Sequence, residues 1–99
     1  MDVKEIQEVL KKDRPHLRPT TLKSYAYNIR RVYNMIESKE FEKNAKTLGN
    51  KLKDTKASVG RALVNSVIVY EKAKGRKKTE ELEKLKARLD TEFTDSVKL

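Results

Sequence analysis

Residues 20–36, TTLKSYAYNIRRVYNMI, carry the most regular helical pattern in the chain. Apolar side chains recur every three or four residues, as on one face of an amphipathic helix, at Leu22, Tyr25, Ala26, Ile29, Val32, Tyr33 and Ile36. Thr20 is a favourable N-cap, because its hydroxyl can accept a hydrogen bond from an amide of the first turn. This stretch therefore predicts a long helix with one buried face.

The same periodicity predicts helices on both sides of that stretch. A first helix starts at an Asp2/Glu5 capping box and ends before Pro15, and a third lies within residues 38–53. A fourth, capped by Asp54 or Thr55, is apolar around most of its circumference through residues 57–73 and should lie centrally. The fifth starts at Thr79 and has an apolar edge at residues 82, 85 and 89. The prediction is an all-α fold, a compact bundle of four to five helices.

Length and composition limit what this chain can do. Ninety-nine residues fit one helical domain over 1–78 and a C-terminal helix over 79–99 that serves as a linker or assembly element. Without cysteine there is no disulfide, thiolate zinc site or cysteine nucleophile, and the single histidine, His16, provides no metal-binding cluster. We expect no metal, no cofactor and no membrane-spanning segment.

The positive charge is concentrated in two segments. The chain has a formal net charge of +9, with 24 Lys and Arg against 15 Asp and Glu. Residues 14–36 hold five basic residues and no acidic one, while residues 55–78 hold seven basic residues and only Glu71. Both ends are slightly acidic. Such segregation is typical of a surface that binds a polyanion.

The second helix carries a polar face opposite its apolar stripe. Lys23, Tyr27, Arg30 and Asn34 recur at helical spacing there, with Ser24, Asn28 and Arg31 alongside. Lys and Arg can neutralise phosphates, and Arg and Asn can also read base edges. Exposed helix faces are normally charged, so a solvated surface is the alternative interpretation; the complete lack of acidic residues favours the binding surface.

The fourth helix begins with a similar polar series. It contains Thr55, Lys56, Ser58, Arg61 and Asn65. If the N-termini of the two helices point the same way, cations of both helices form one surface. The full set of residues predicted to bind DNA is Arg18, Thr20, Thr21, Lys23, Ser24, Tyr27, Arg30, Arg31, Asn34, Thr55, Lys56, Ser58, Arg61 and Asn65.

Two stretches resemble a known domain. RPHLRPTTLKSYAYNIRRVY (14–33) and KTLGNKLKDTKASVGRALVNSVIVYEKAKG (46–75) resemble the N-terminal core-binding domain of tyrosine recombinases and phage-type integrases, over roughly residues 3–75. The resemblance implies a small SAM-like helical bundle that grips double-stranded DNA. It also implies that the helices starting near Thr20 and Thr55 face the major groove, which are the two that the charge distribution selects.

The same resemblance predicts that this chain is not itself an enzyme. The chemistry of tyrosine recombinases resides in a second domain with Arg, His and a nucleophilic Tyr, and nothing in these 99 residues matches that set. The chain would therefore act in DNA recombination or integration only as a binding module. Residues 79–99 would lead to a missing catalytic domain or support self-association, and the protein would be intracellular and associated with DNA.

Two other functions are compatible with the sequence. One is a helical protein-interaction module whose basic faces bind an acidic partner. The other is a non-specific nucleic-acid packaging protein, which would share the salt dependence of a DNA-binding module but show no sequence preference.

Overall fold

The computed structural model describes the backbone of residues 2–97 and the side chains of residues 2–94. Five α-helices follow one another: α1 (Val3–Asp13), α2 (Pro19–Ile36), α3 (Ala45–Lys51), α4 (Ala57–Ala73) and α5 (Glu80–Val97), with a 3₁₀ turn at Leu52–Asp54 between α3 and α4. Residues 2–97 contain no strand. The predicted all-α bundle is confirmed. Residues 98 and 99, the end of the predicted C-terminal element, lie outside the described residues.

The first helix starts where the sequence predicts. The Lys4 amide donates to the Asp2 carboxylate at 2.9 Å, so Asp2 is the N-cap. Ile6 and Leu10 are fully buried, which places the apolar face of α1 against the core.

The predicted N-cap of α2, Thr20, is wrong. The helix begins at Pro19, and Arg18 occupies the N-cap position without a side-chain hydrogen bond. Pro19 suits the first helical position because its fixed φ fits the helix and its missing N–H would have no partner there. Proline also favours extended backbone in the preceding residue, as observed at Arg18 with φ −67° and ψ 148°.

The segment 38–53 is less helical than predicted. Helix α3 covers only Ala45–Lys51, and residues 41–44 form turns that seat Phe41 in the core. A Cβ at Gly49 would lie 3.3 Å from Leu85 Cδ1, which is tighter than ordinary van der Waals contact. Glycine in α3 therefore permits close packing of α5, at a cost in helix propensity of about 1 kcal/mol.

Helix α4 is central, as predicted, and packs against α1, α2 and α5. Its buried side chains are Leu63, Val64, Ser66, Val67, Ile68, Val69, Tyr70 and Glu71. The predicted caps are wrong: Lys56 is the N-cap residue, so Asp54 and Thr55 lie upstream of it. Gly75 follows the helix with φ +80°, the left-handed conformation that glycine adopts without strain.

A distant carboxylate caps the fifth helix. Glu42 accepts hydrogen bonds from the amides of Glu81 and Leu82 at 2.9 and 3.0 Å. These two amides belong to the helix N-terminus and lack intrahelical partners. The helix starts after Thr79, as predicted, and its apolar edge at Leu82, Leu85 and Leu89 is buried in the core.

We expect Glu42→Ala to lower the free energy of unfolding by about 1 kcal/mol, the usual magnitude for loss of a helix cap. Urea denaturation followed by circular dichroism measures this change. Glu40→Ala is the matched control, because Glu40 is exposed and pairs only with exposed Lys43 among the described residues. Equal stability of the two variants would contradict a capping role for Glu42.

Candidate nucleic-acid interface

The outer face of α2, defined by Lys23, Tyr27, Arg30 and Asn34, is exposed as predicted. Tyr27 is 52% exposed, the highest value for a large hydrophobic side chain in the described part of the chain. Lys23 Nζ lies 5.9 Å from the centroid of its ring. This face thus combines cations, an amide and one aromatic ring in an arrangement fixed by a single rigid helix.

The cations of this face have no carboxylate partner among the described residues. Lys23 and Arg30 are exposed and form no ion pair there, and the same holds for Arg31 beside the face and Arg18 at the start of the helix. Positive charges without internal compensation attract an anionic partner. The acid-free segment of the sequence therefore becomes an uncompensated positive surface.

A shallow groove joins α2 to α4. This hydroxyl groove, of about 270 Å³, is lined by Thr20, Thr21 and Ser24 of α2 and by Asn65 of α4, all four of them predicted site residues. Hydroxyls and amides at such a place can donate to phosphate oxygens or to base edges. The structure therefore brings predicted residues from both helices together at Asn65.

Asn28 lies at the edge of the outer face of α2, where it lines a surface groove with Tyr27, Arg30 and Asn34. Asn28 is half-buried, and its amide donates to Ser66 Oγ at 3.0 Å. The Ser66 hydroxyl in turn donates to the carbonyl of Ala62 at 2.9 Å. This chain of hydrogen bonds fixes α2 against α4 beneath the hydroxyl groove, so Asn28 positions the surface.

The residues predicted to bind DNA at the start of α4 differ in their exposure to solvent. Thr55 is half-buried and precedes the helix, whereas Lys56 and Ser58 are exposed. Ser58, Arg61 and Asn65 line a groove with Lys86 and Phe93 of α5. Sequence reasoning missed these two residues of α5, because their position on the groove depends on how α5 crosses α4.

Arg61 is not a free cation. Its Nε lies 2.8 Å from Asp90 Oδ1, and its guanidinium carbon lies 4.6 Å from the centroid of the Phe93 ring. Helix α5 therefore compensates one of the charges predicted to bind DNA. That Lys23, Arg30, Lys56 and Arg61 form one surface stays a prediction.

Further compensation occurs near the end of α4. Lys72 pairs with Glu83 at 3.3 Å, and Arg76 pairs with Glu71 at 3.2 Å. Burial raises the pKa of the Glu71 carboxyl, an effect that nearby Arg76 and Lys74 oppose. The seven basic residues of segment 55–78 thus offer less positive charge to a partner than their number suggests.

Membrane spans and metal clusters are two further kinds of feature that a structure can reveal. Within residues 2–97, no helix is both long and apolar enough to cross a membrane. The described side chains include no group of three or more His, Cys, Asp or Glu that could hold a metal ion.

We expect raised pH to destabilise the wild type relative to Glu71→Gln. A raised pKa means that the Glu71 carboxyl binds its proton more strongly in the folded state than in the unfolded state. In the unfolded state the pKa of this carboxyl is near its ordinary value of 4.5. The resulting stabilisation is complete below that value and is lost as pH rises through the folded-state pKa. Urea titrations of both proteins at pH 4 and pH 7 measure it, and an unchanged difference in unfolding free energy would contradict the burial argument.

Comparison with known proteins identifies no relative. No family model matches the chain, and no curated protein or solved structure is significantly similar to it.

Proposed function

We propose that this chain is a double-stranded DNA-binding module of the tyrosine recombinase core-binding type, without catalytic activity of its own. It contacts phosphates and the major groove through α2 and α4. The observation that carries the proposal is that α2 and its N-cap residue hold four exposed cations, Arg18, Lys23, Arg30 and Arg31, without a carboxylate partner among the described residues.

The dimensions of α2 suit a DNA groove. Eighteen helical residues extend about 27 Å, and a major groove about 12 Å wide admits an α-helix. With Lys23 directed at a phosphate, Arg30 and Asn34 lie two and three turns further along the same face, within reach of base edges. Helix α4 would contribute through Asn65 in the hydroxyl groove.

Duplex DNA fits this surface better than single strands or RNA loops. Proteins that bind unpaired bases stack them on several exposed aromatic rings. Among the described side chains, Tyr27 alone is a large, exposed hydrophobic ring, and its hydroxyl suits a phosphate contact equally well. The proposed partner is therefore the regular backbone and grooves of a duplex.

The proposal includes the place of this chain in recombination or integration. Cleavage and joining would be performed by a separate catalytic domain, and the protein would work inside the cell on DNA. Because Leu82, Leu85 and Leu89 are buried in the bundle, contact between α5 and another domain or subunit would use its polar side chains.

The first experiment is a fluorescence anisotropy titration with a labelled random duplex and a single-stranded control at several salt concentrations. If about six phosphates are neutralised, log K should fall against log salt with a slope near −5. Preference for duplex would support the proposal. Absence of binding at low salt would overturn it and favour an acidic protein partner.

Substitutions then separate phosphate contacts from base contacts. Lys23→Ala should weaken binding equally on all sequences, whereas Arg30→Ala and Asn65→Ala should also relax sequence preference, at a cost of about 1–3 kcal/mol for a lost base contact. Lys46→Ala is the control, because Lys46 lines the groove between α3 and α5. Unchanged affinity in all three variants would show that these helices do not bind DNA. Uniform losses on every sequence would instead indicate a packaging protein.

A further inference from the structure

The groove between α4 and α5 has a mixed polar and cationic lining. It measures about 360 Å³, and we define the α4–α5 groove by Ser58, Arg61, Asn65, Lys86 and Phe93. Asn65 also lines the hydroxyl groove, so the two grooves meet at this side chain. A polar track therefore runs from the start of α2, across α4, to the middle of α5.

Asp90 forms an ion pair with Arg61, a cation of this groove. Its Oδ1 lies 2.8 Å from Arg61 Nε, while the Phe93 ring supports the guanidinium group from another side. This contact is an ion pair in which Asp90 Oδ1, a buried atom, accepts no hydrogen bond from the described residues. A phosphate oxygen would carry the same negative charge at this place and could also accept a hydrogen bond from the guanidinium group. Lys86, half-buried in the same groove, has no carboxylate partner among the described residues.

We propose that the α4–α5 groove is a second contact surface for the backbone of duplex DNA, and that Asp90 occupies on Arg61 the position of a phosphate. This inference rests on the proposed function and adds α5 to the binding surface. When the duplex binds, a backbone phosphate replaces Asp90 as the partner of Arg61. Lys86 contributes the second cation of the groove.

Continuity with α2 identifies the partner as a duplex. The hydroxyl groove meets the outer face of α2 at Asn28, which also lines a groove with Arg30 and Asn34. DNA presents phosphates at regular intervals, so one backbone can follow α2 while the same molecule reaches Arg61 and Lys86. A short acidic ligand could contact the cations of α2 or those of the α4–α5 groove, but not both at once.

The experiment compares Asp90→Asn with Glu92→Gln in the duplex titration. Both changes remove one negative charge from α5, but Glu92 lies near Arg88, at 3.8 Å, and not near Arg61. One additional phosphate contact should steepen the salt slope by about 0.9, which corresponds to binding about five- to tenfold tighter at 0.1 M salt. Only Asp90→Asn should show this gain.

Two further variants locate the effect. Adding Arg61→Ala to Asp90→Asn should abolish the gain, and Lys86→Ala alone should weaken duplex binding. Circular dichroism and thermal melting verify that each variant is folded. Because Lys86→Ala leaves the Asp90 ion pair intact, it tests the groove even if an Asp90 variant does not fold.

The possible outcomes separate the two proposals. If the wild type binds duplex, but Asp90→Asn equals Glu92→Gln and Lys86→Ala has no effect, the groove is not a contact surface and the proposed function stands. If neither the wild type nor any variant binds duplex, both proposals fail. If the gain appears with an acidic peptide and not with duplex, the partner is a protein.

Discussion

Because α4 presents apolar side chains around most of its circumference, α1, α2 and α5 must each pack against it, and this requirement organises the whole bundle. Val64 and Val67 are fully buried on one side of the helix, and Val69, on the opposite side, is only 7% exposed. Near its N-terminal half, α4 leaves to solvent a strip that contains Ser58, Arg61 and Asn65. Any partner of α4 therefore meets a strip bordered by α2 and α5, so the three helices act on that partner together.

The two neighbours of this strip have opposite electrostatic characters. Helix α2 borders it with cations that lack carboxylate partners among the described residues, whereas α5 borders it with Asp90 and, further along, with Glu83 paired to Lys72. The acidic residues of α5 thus reduce the positive charge of α4 and leave that of α2 unchanged. A polyanion approaching this side of the molecule would be attracted first to α2, and contacts with α4 would compete with internal ion pairs.

Local sequence predicted most of the fold because helical periodicity is a local property. The buried positions of α2 and α4 follow from spacing alone, and Gly75 marks a helix end because its left-handed backbone is a local requirement. The N-cap predicted at Thr20 is wrong for a local reason as well, since Pro19 fixes the start of α2. The cap of α5 could not be predicted, because Glu42 lies about forty residues away in the sequence and meets the helix only through tertiary packing.

The candidate site shows the same division between local and tertiary information. Exposure of Lys23, Tyr27 and Arg30 follows from one helix and its buried stripe, so the sequence was sufficient. The state of Arg61 depends on Asp90, a residue of another helix, and counting charges within segments cannot reveal such a pair. The basic residues counted from the sequence therefore overstate the positive charge that is available on the surface near α4. Near α2 the count and the available charge agree. Within the bounds of the two helices, folding pairs both cations of α4, Arg61 and Lys72, with carboxylates of α5, whereas the cations of α2 have no carboxylate partner among the described residues. The charge of α2 is therefore more available to a polyanion than that of α4.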